Sequence, residues 1–324
     1  FTVDAWGIAM AFDLERGGRR WRRDTAPENE SAGAVGGGAA YEGDTLYVTS
    51  GLAEVMALDP SNGQVKWRQR MPAPARGAPA VADGRIFVPT LENHLLAFST
   101  EDGRRLWTHR GQSVTAVPLG LPTPAVEGEI VVCGFASGEL NAVRASDGRL
   151  VWSETLAAGN RGSLAEVSGI AAMPAIGQGR VVALGMGGLT ICIDLRSGRR
   201  LWEREVGGTE GAWIAGDWVF LVSGEEELAC LGRDDGRVRW VRSLRPEQRG
   251  RRAPPRQSWC PPVLAGGRVL IAGSGAELLS VDPSSGEITG RRGLPGGVTW
   301  QPAVVGDLLL VATNNATLVA LRGA

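Results

Sequence analysis

AFDLERGGRRW at 11–21, ALDPSNGQVKW at 57–67 and AFSTEDGRRLW at 97–107 are versions of one phrase, A-x-D-x-x-x-G-x-x-x-W. It returns as AVRASDGRLVW (142–152), CIDLRSGRRLW (192–202), CLGRDDGRVRW (230–240) and SVDPSSGEITG (280–290), the last with Gly290 where the others have tryptophan. The closing positions lie 46, 40, 45, 50, 38 and 50 residues apart, the spacing of a repeat that holds one four-stranded propeller blade. Strand-like runs precede the phrases, as in APAVADGRIFVPT (78–90) and TPAVEGEIVVCGF (123–135), and another, QPAVVGDLLLVAT (301–313), follows the last of them.

The residue types of the phrase suit a tight turn followed by a packing contact. Asp13, Asp59, Asp194 and Asp282 can bond nearby backbone N–H groups, and Gly17, Gly63, Gly103, Gly148, Gly198, Gly236 and Gly286 accept a positive φ. Trp21, Trp67, Trp107, Trp152, Trp202 and Trp240 then offer a broad apolar face to the next blade while the indole N–H finds a carbonyl. The expected architecture is all-β, one eight-bladed β-propeller of four-stranded antiparallel blades over 1–324. It has a partial first blade at 1–24, complete blades at about 38–67, 78–107, 122–152, 172–202, 211–240 and 260–290, and a partial last blade at 300–321. Aligning the first repeat on the second puts Phe1-Thr2-Val3 on Tyr47-Val48-Thr49, so the first blade begins inside its second strand. An upstream segment is expected to close the ring at both ends, removing exposed edges. A seven-bladed ring, with the Trp21 strand completing the last blade, is the alternative.

Composition agrees with an all-β chain. Gly supplies 47 of 324 residues, about twice the usual share of ~7%. The net charge of −1 provides no field to attract nucleic acid. Cys133, Cys192, Cys230 and Cys260 form no CxxC, CxxCH or vicinal pair, so haem, zinc and redox motifs are missing. Cys192 and Cys230 take the small-residue position of the phrase, where a buried thiol acts as a small hydrophobe. His94 and His109 belong to no HExxH or nucleophile-elbow pattern. The insertion RPEQRGRRAPPRQ (245–257) reads as an exposed loop whose five arginines could meet an acidic surface or lipid headgroups. Gly36-Gly37-Gly38 lacks the GK[ST] ending of a phosphate loop and reads as a blade connection.

The phrase resembles the tryptophan-docking repeat of quinoprotein propellers, shared by pyrroloquinoline quinone dehydrogenases and the BamB family of outer-membrane assembly lipoproteins. Between these branches, GGGAAYEGDTLYVTSGLAEVMALDPSNGQVKWRQRMPAPARGAPAV (36–81), VPLGLPTPAVEGEIVVCGFASGELNAVRASDGRLVW (117–152) and LWEREVGGTEGAWIAGDWVFLVSGEEELACLGRDDGRVRWV (201–241) look like alphaproteobacterial BamB-type proteins. That resemblance implies a periplasmic, outer-membrane-associated, non-enzymatic scaffold that binds the BamA periplasmic region, with unfolded outer-membrane proteins as a second candidate partner. Membrane contact would come only through an N-terminal lipid anchor, whose cysteine is not found before Cys133 and is expected on an upstream segment. The family's partner contacts lie in the loops before Thr123-Pro124 and Met173-Pro174. They map onto Ala116, Pro118 and Leu119 and onto Gly169 and Ala171, none of which matches the family's residue types; Val117, Leu119, Leu121 and Ile170 are the apolar residues there that could still dock a partner. A quinone dehydrogenase would need carboxylate and amide ligands for Ca²⁺ and in many members a vicinal cysteine pair, so no cofactor, metal or catalytic residue is expected. A propeller sensing a small ligand in its central channel is the competing non-enzyme reading.

Overall fold

The computed structural model describes residues 1–27, 36–114, 120–156, 169–245 and 255–323, which form eight antiparallel sheets and no helix. In the second blade the strands Gly37–Glu42, Thr45–Ser50, Glu54–Leu58 and Val65–Arg70 pair in chain order. The next five blades repeat that order, opening with Ala80–Ala82, Ala125–Glu127, Ala175–Gly177, Trp213–Ala215 and Val263–Ala265. The first sheet (Thr2–Val3, Ile8–Phe12, Arg19–Asp24) and the eighth (Ala303–Val305, Leu308–Ala312, Leu318–Arg322) have three strands each. Thr2 faces Met10 as Val48 faces Met56, so Thr2–Val3 is a second-strand element. The Trp21 strand pairs with Ile8–Phe12 inside its own blade, and the ring has eight blades, not seven.

Burial explains why the middle strands read as continuous apolar runs. Thr45–Ser50 is buried at every position, and IVVCG and WVFLV at every position but the first, because these middle strands lie between two neighbouring blades. Phe87, Leu95 and Ala97 of the third blade pack on Val131, Cys133 and Val143 of the fourth. Tyr47 and Val55 of the second blade pack on Ile86, Val88 and Phe98 of the third. Full burial of such side chains contributes about 1.5–3 kcal/mol each. The first strands are short and half-buried, and successive ones neighbour each other around the axis.

The phrase works as a knob and a socket. Each indole N–H donates to the carbonyl three residues before the glycine of the next blade: Trp21 to Pro60, Trp67 to Thr100, Trp107 to Ala145, Trp152 to Leu195, Trp202 to Arg233 and Trp240 to Pro283, at 2.7–3.1 Å. Those glycines have φ between +62° and +73°, and a Cβ on any of them would lie 2.5–2.7 Å from an atom of the docked tryptophan. In three seams the residue two after tryptophan adds a clamp, with Arg23, Arg204 and Arg242 donating from Nε to the carbonyls of Gly63, Gly236 and Gly286. Gly17 has the same φ, +67°, but nothing lies within 4 Å of its Cβ position among the described residues. Gly290 faces Ser280 where the other phrases put an indole against alanine or cysteine.

All four cysteines are free and buried. Burial pushes the thiols of Cys133, Cys192 and Cys260 up to about 12 and that of Cys230 up to about 11. Cys192 and Cys230 each lie opposite the tryptophan of their own blade.

Trp202→Ala removes both the knob and the Arg233 hydrogen bond, and should lower stability by about 3–5 kcal/mol in denaturant unfolding. Gly236→Ala, which pushes a methyl into the same ring at positive φ, should reduce the unfolding midpoint in the same direction. A thiolate-directed reagent should leave the native chain unlabelled and modify four cysteines once it is unfolded.

Candidate partner-docking face

Strand alternation places the crossovers between blades and the hairpins joining second to third strands at one end of every blade. Backbone hydrogen bonds stitch the two sets together. Ile170 N donates to Phe135 O at 3.0 Å and Met186 N to Gly169 O at 3.2 Å, so the crossover entering the fifth blade bridges the hairpins of the fourth and fifth. Val298 N to Gly273 O at 3.0 Å and Asn314 N to Gly297 O at 2.7 Å repeat the pattern between the seventh and eighth. Gly36, part of the glycine triplet, bonds Ala5 O and receives Gly51 N, both at 3.0 Å, and so acts as a blade connection.

The sequence-derived contact residues fall on the two crossovers that flank the fourth blade. Ala116, Val117, Pro118 and Leu119 lie outside the described residues. The two crossovers converge over Gly134, where a Cβ would meet Ile170 Cγ2 at 2.5 Å and Pro122 Cγ at 3.6 Å. Ile170 is therefore a core residue, 1% exposed, that fills the gap left by that glycine. Gly169 is buried beside Ala136, while Leu121 and Ala171 are half-buried. Leu121 also braces the preceding blade, since a Cβ at Gly77 would lie 2.5 Å from its carbonyl oxygen.

A buried polar network fixes the root of the first crossover. Asn93, held at φ +62°, donates from Nδ2 to Gln112 O at 2.7 Å and accepts Ala136 N–H at Oδ1, 2.9 Å. Glu139 Oε2 accepts Gln112 N–H at 2.7 Å and the Ser137 hydroxyl at 2.8 Å. Asn141 joins His109 Nε2 (3.2 Å) to the Ser153 hydroxyl (2.6 Å). Burial holds the His109 imidazole below its ordinary value, partly opposed by Glu139, so the ring is neutral at neutral pH.

The arginine-rich insertion is anchored the same way. Arg245 reaches Glu225 (3.1 Å) and Glu226 (3.3 Å), Arg256 reaches Glu225 (3.0 Å), and Gln257 N–H donates to Glu226 Oε2 (3.2 Å). Two of the five arginines thus bond acidic residues of the chain's own sixth-blade hairpin. Residues 246–254 lie outside the described residues. Glu226 takes the left-handed position that Asn93 takes in its hairpin, at φ +62° in both. Neither residue stands out in the sequence, because this turn position holds glycine, alanine, asparagine or glutamate in different blades. The W-x-R clamp, in contrast, was available to be read.

Among the described residues, no three His, Cys, Asp or Glu side chains group as metal ligands, and no helix is long and apolar enough to cross a membrane. A tryptophan-docked eight-bladed ring whose polar networks are spent on bracing loops defines a quinoprotein-type propeller with a presented loop face. The family model for outer membrane protein assembly factor BamB matches residues 6–242 and 245–324, and the chain belongs to that family. The outer membrane protein assembly factor BamB of Yersinia pestis is 26% identical over 99% of this chain and 81% of its own length. The crystal structure of BamB from Moraxella catarrhalis superposes with a TM-score of 0.83, at 17% identity, covering 99% of this chain and 92% of that one. A europium-containing methanol dehydrogenase shares the fold at a TM-score of 0.71 and 12% identity, covering 97% of this chain and 78% of its own.

The depressed His109 value makes its contribution to stability complete above about 6.5, the ordinary imidazole value, and progressively lost as pH falls below it. His109→Gln should flatten the melting temperature between mildly acidic and neutral pH, and an unchanged pH profile in that variant would contradict the assignment.

Proposed function

We propose that this protein is a non-catalytic scaffold of the outer-membrane β-barrel assembly machinery, working on the periplasmic side of the outer membrane and docking the BamA periplasmic region. The observation that carries the reading is the match of the assembly-factor family across nearly the whole chain. Its full-length relatives bear the name of an assembly factor, not of an enzyme. The loop face supports it further. Two crossovers meet over one blade, and their described roots are held by hydrogen bonds at Asn93, Glu139 and Gly169, which would spare a partner part of the ordering cost at Leu121 and Ala171. Leu121 and Ala171, both half-buried, are the described residues we assign to the contact, beside Val117 and Leu119 in the crossover of Leu121. Unfolded outer-membrane proteins are a second class of partner, able to pair with exposed outer strands by β-augmentation.

Immobilised BamA periplasmic region should retain the full chain. The double variant Leu121→Asp, Ala171→Arg should bind at least about tenfold more weakly, a loss of roughly 1.4 kcal/mol, with an unchanged far-ultraviolet spectrum. Full binding by that variant would remove the loop face from the interface, and no binding by the unmodified chain would sink the proposal as a whole.

A further inference from the structure

Asn62-Gly63 is the one Asn-Gly step in the sequence, and it falls on a socket glycine of the repeat. Asn-Gly is the dipeptide in which a backbone nitrogen most readily attacks the preceding carboxamide, since no Cβ hinders the approach. Asn62 is exposed and Gly63 is buried. In the closed seam the attacking nitrogen and the side-chain carbonyl oxygen are both engaged. Gly63 N–H donates to Asp59 O at 2.8 Å. Asn62 Oδ1 accepts Gln64 N–H at 2.8 Å. The Trp21 ring covers Gly63, with a Cβ position 2.7 Å from Trp21 Cε3. Trp21 Nε1 holds Pro60 O and Arg23 Nε holds Gly63 O, both at 2.8 Å. The turn is thus pinned on both sides of the reacting bond by the first blade.

We infer that Asn62-Gly63 is a latent self-modification site: docking of Trp21 holds the reaction off, and opening of the seam between the first and second blades releases it. In the released turn the Gly63 nitrogen gives up its proton and attacks Asn62 Cγ. The new C–N bond closes a five-membered succinimide, and the Cγ–Nδ2 bond breaks with departure of ammonia. Water then opens the ring at either carbonyl, giving aspartate or isoaspartate, so the net change is uptake of water and loss of ammonia. The two products differ in consequence. Aspartate is already the residue before the glycine in three sister turns, where Asp102, Asp147 and Asp235 accept the N–H two residues on, as Asn62 does. Isoaspartate lengthens the main chain by one methylene between Asn62 and Gly63. That shift carries Gly63 out of register with Trp21 and its two clamps, so an opened seam that reacts by this branch cannot close again. The site records opening and makes it one-way.

The test is peptide mapping by mass spectrometry of the full chain incubated in mildly alkaline buffer, scoring aspartate and isoaspartate at position 62. Native wild type should react far more slowly than the same chain unfolded in urea. Trp21→Ala should react at least about tenfold faster than wild type, because the rate follows the population of the opened turn. Arg23→Ala, which keeps the ring and removes one clamp, should also be faster and covers the case in which Trp21→Ala does not fold. Trp67→Ala opens the neighbouring seam at Gly103 and should leave Asn62 at the wild-type rate. The Asn62→Asp chain should melt with wild type, whereas isoaspartate-containing chains should melt lower. Equal rates in native and unfolded wild type would overturn the proposal. So would an Arg23→Ala rate no higher than wild type, or acceleration by Trp67→Ala as large as by Trp21→Ala.

Discussion

The indole laid on a left-handed glycine, with its N–H on the carbonyl three residues earlier, is the contact on which the ring depends. A four-stranded blade covered on both faces has no independent core, so its middle strands are stable only between neighbours. The dock fixes the separation and tilt of neighbours at their outer edge, while the short first strands do so at the axis. Two parts of the dock come from different blades, and each is useless alone. The glycine is needed where it stands because a methyl group would occupy the space of the ring, and because φ there is positive. The tryptophan is needed because a flat surface and one donor satisfy an apolar slot that ends in an unpaired carbonyl.

Most of the fold was legible for that reason. A contact that repeats in six seams writes itself into the sequence at a constant offset, and the A-x-D-x-x-x-G-x-x-x-W phrase states the strand, the turn and the knob together. The blade count could be read from the ends as well, since the pairing of Thr2 with Met10 copies that of Val48 with Met56. The loop face was far less legible. Ile170 has the look of an apolar loop residue, yet it is buried because Gly134, thirty-six positions earlier and in another blade, leaves it a space. Asn93, Glu139 and Glu226 escaped notice because the hairpin they serve tolerates several residue types. Their role depends on which crossover happens to pass above them. Local pattern encodes what recurs, and these contacts occur once each.

The same division separates scaffold from function. Contacts that recur from seam to seam hold the ring, and the fold is shared with a europium-containing methanol dehydrogenase at 12% identity. Contacts that occur only once are found in the crossovers around the fourth blade and in the sixth-blade hairpin that holds the arginine-rich insertion. There, buried carboxylates and amides hold backbone groups at the roots of the loops. Glu139 is the clearest case, a carboxylate whose partners are a backbone N–H and a hydroxyl from two different segments.

The knob always belongs to one blade and the socket to the next, which gives the array a direction. A change in a socket turn is felt first by the blade before it, whose tryptophan loses its seat, and only second by the blade that contains it. Gly236 guards the fifth blade, and Gly198 the fourth. Sequence drift in any turn is therefore policed from upstream, and each blade's integrity is written largely in its neighbour's residues.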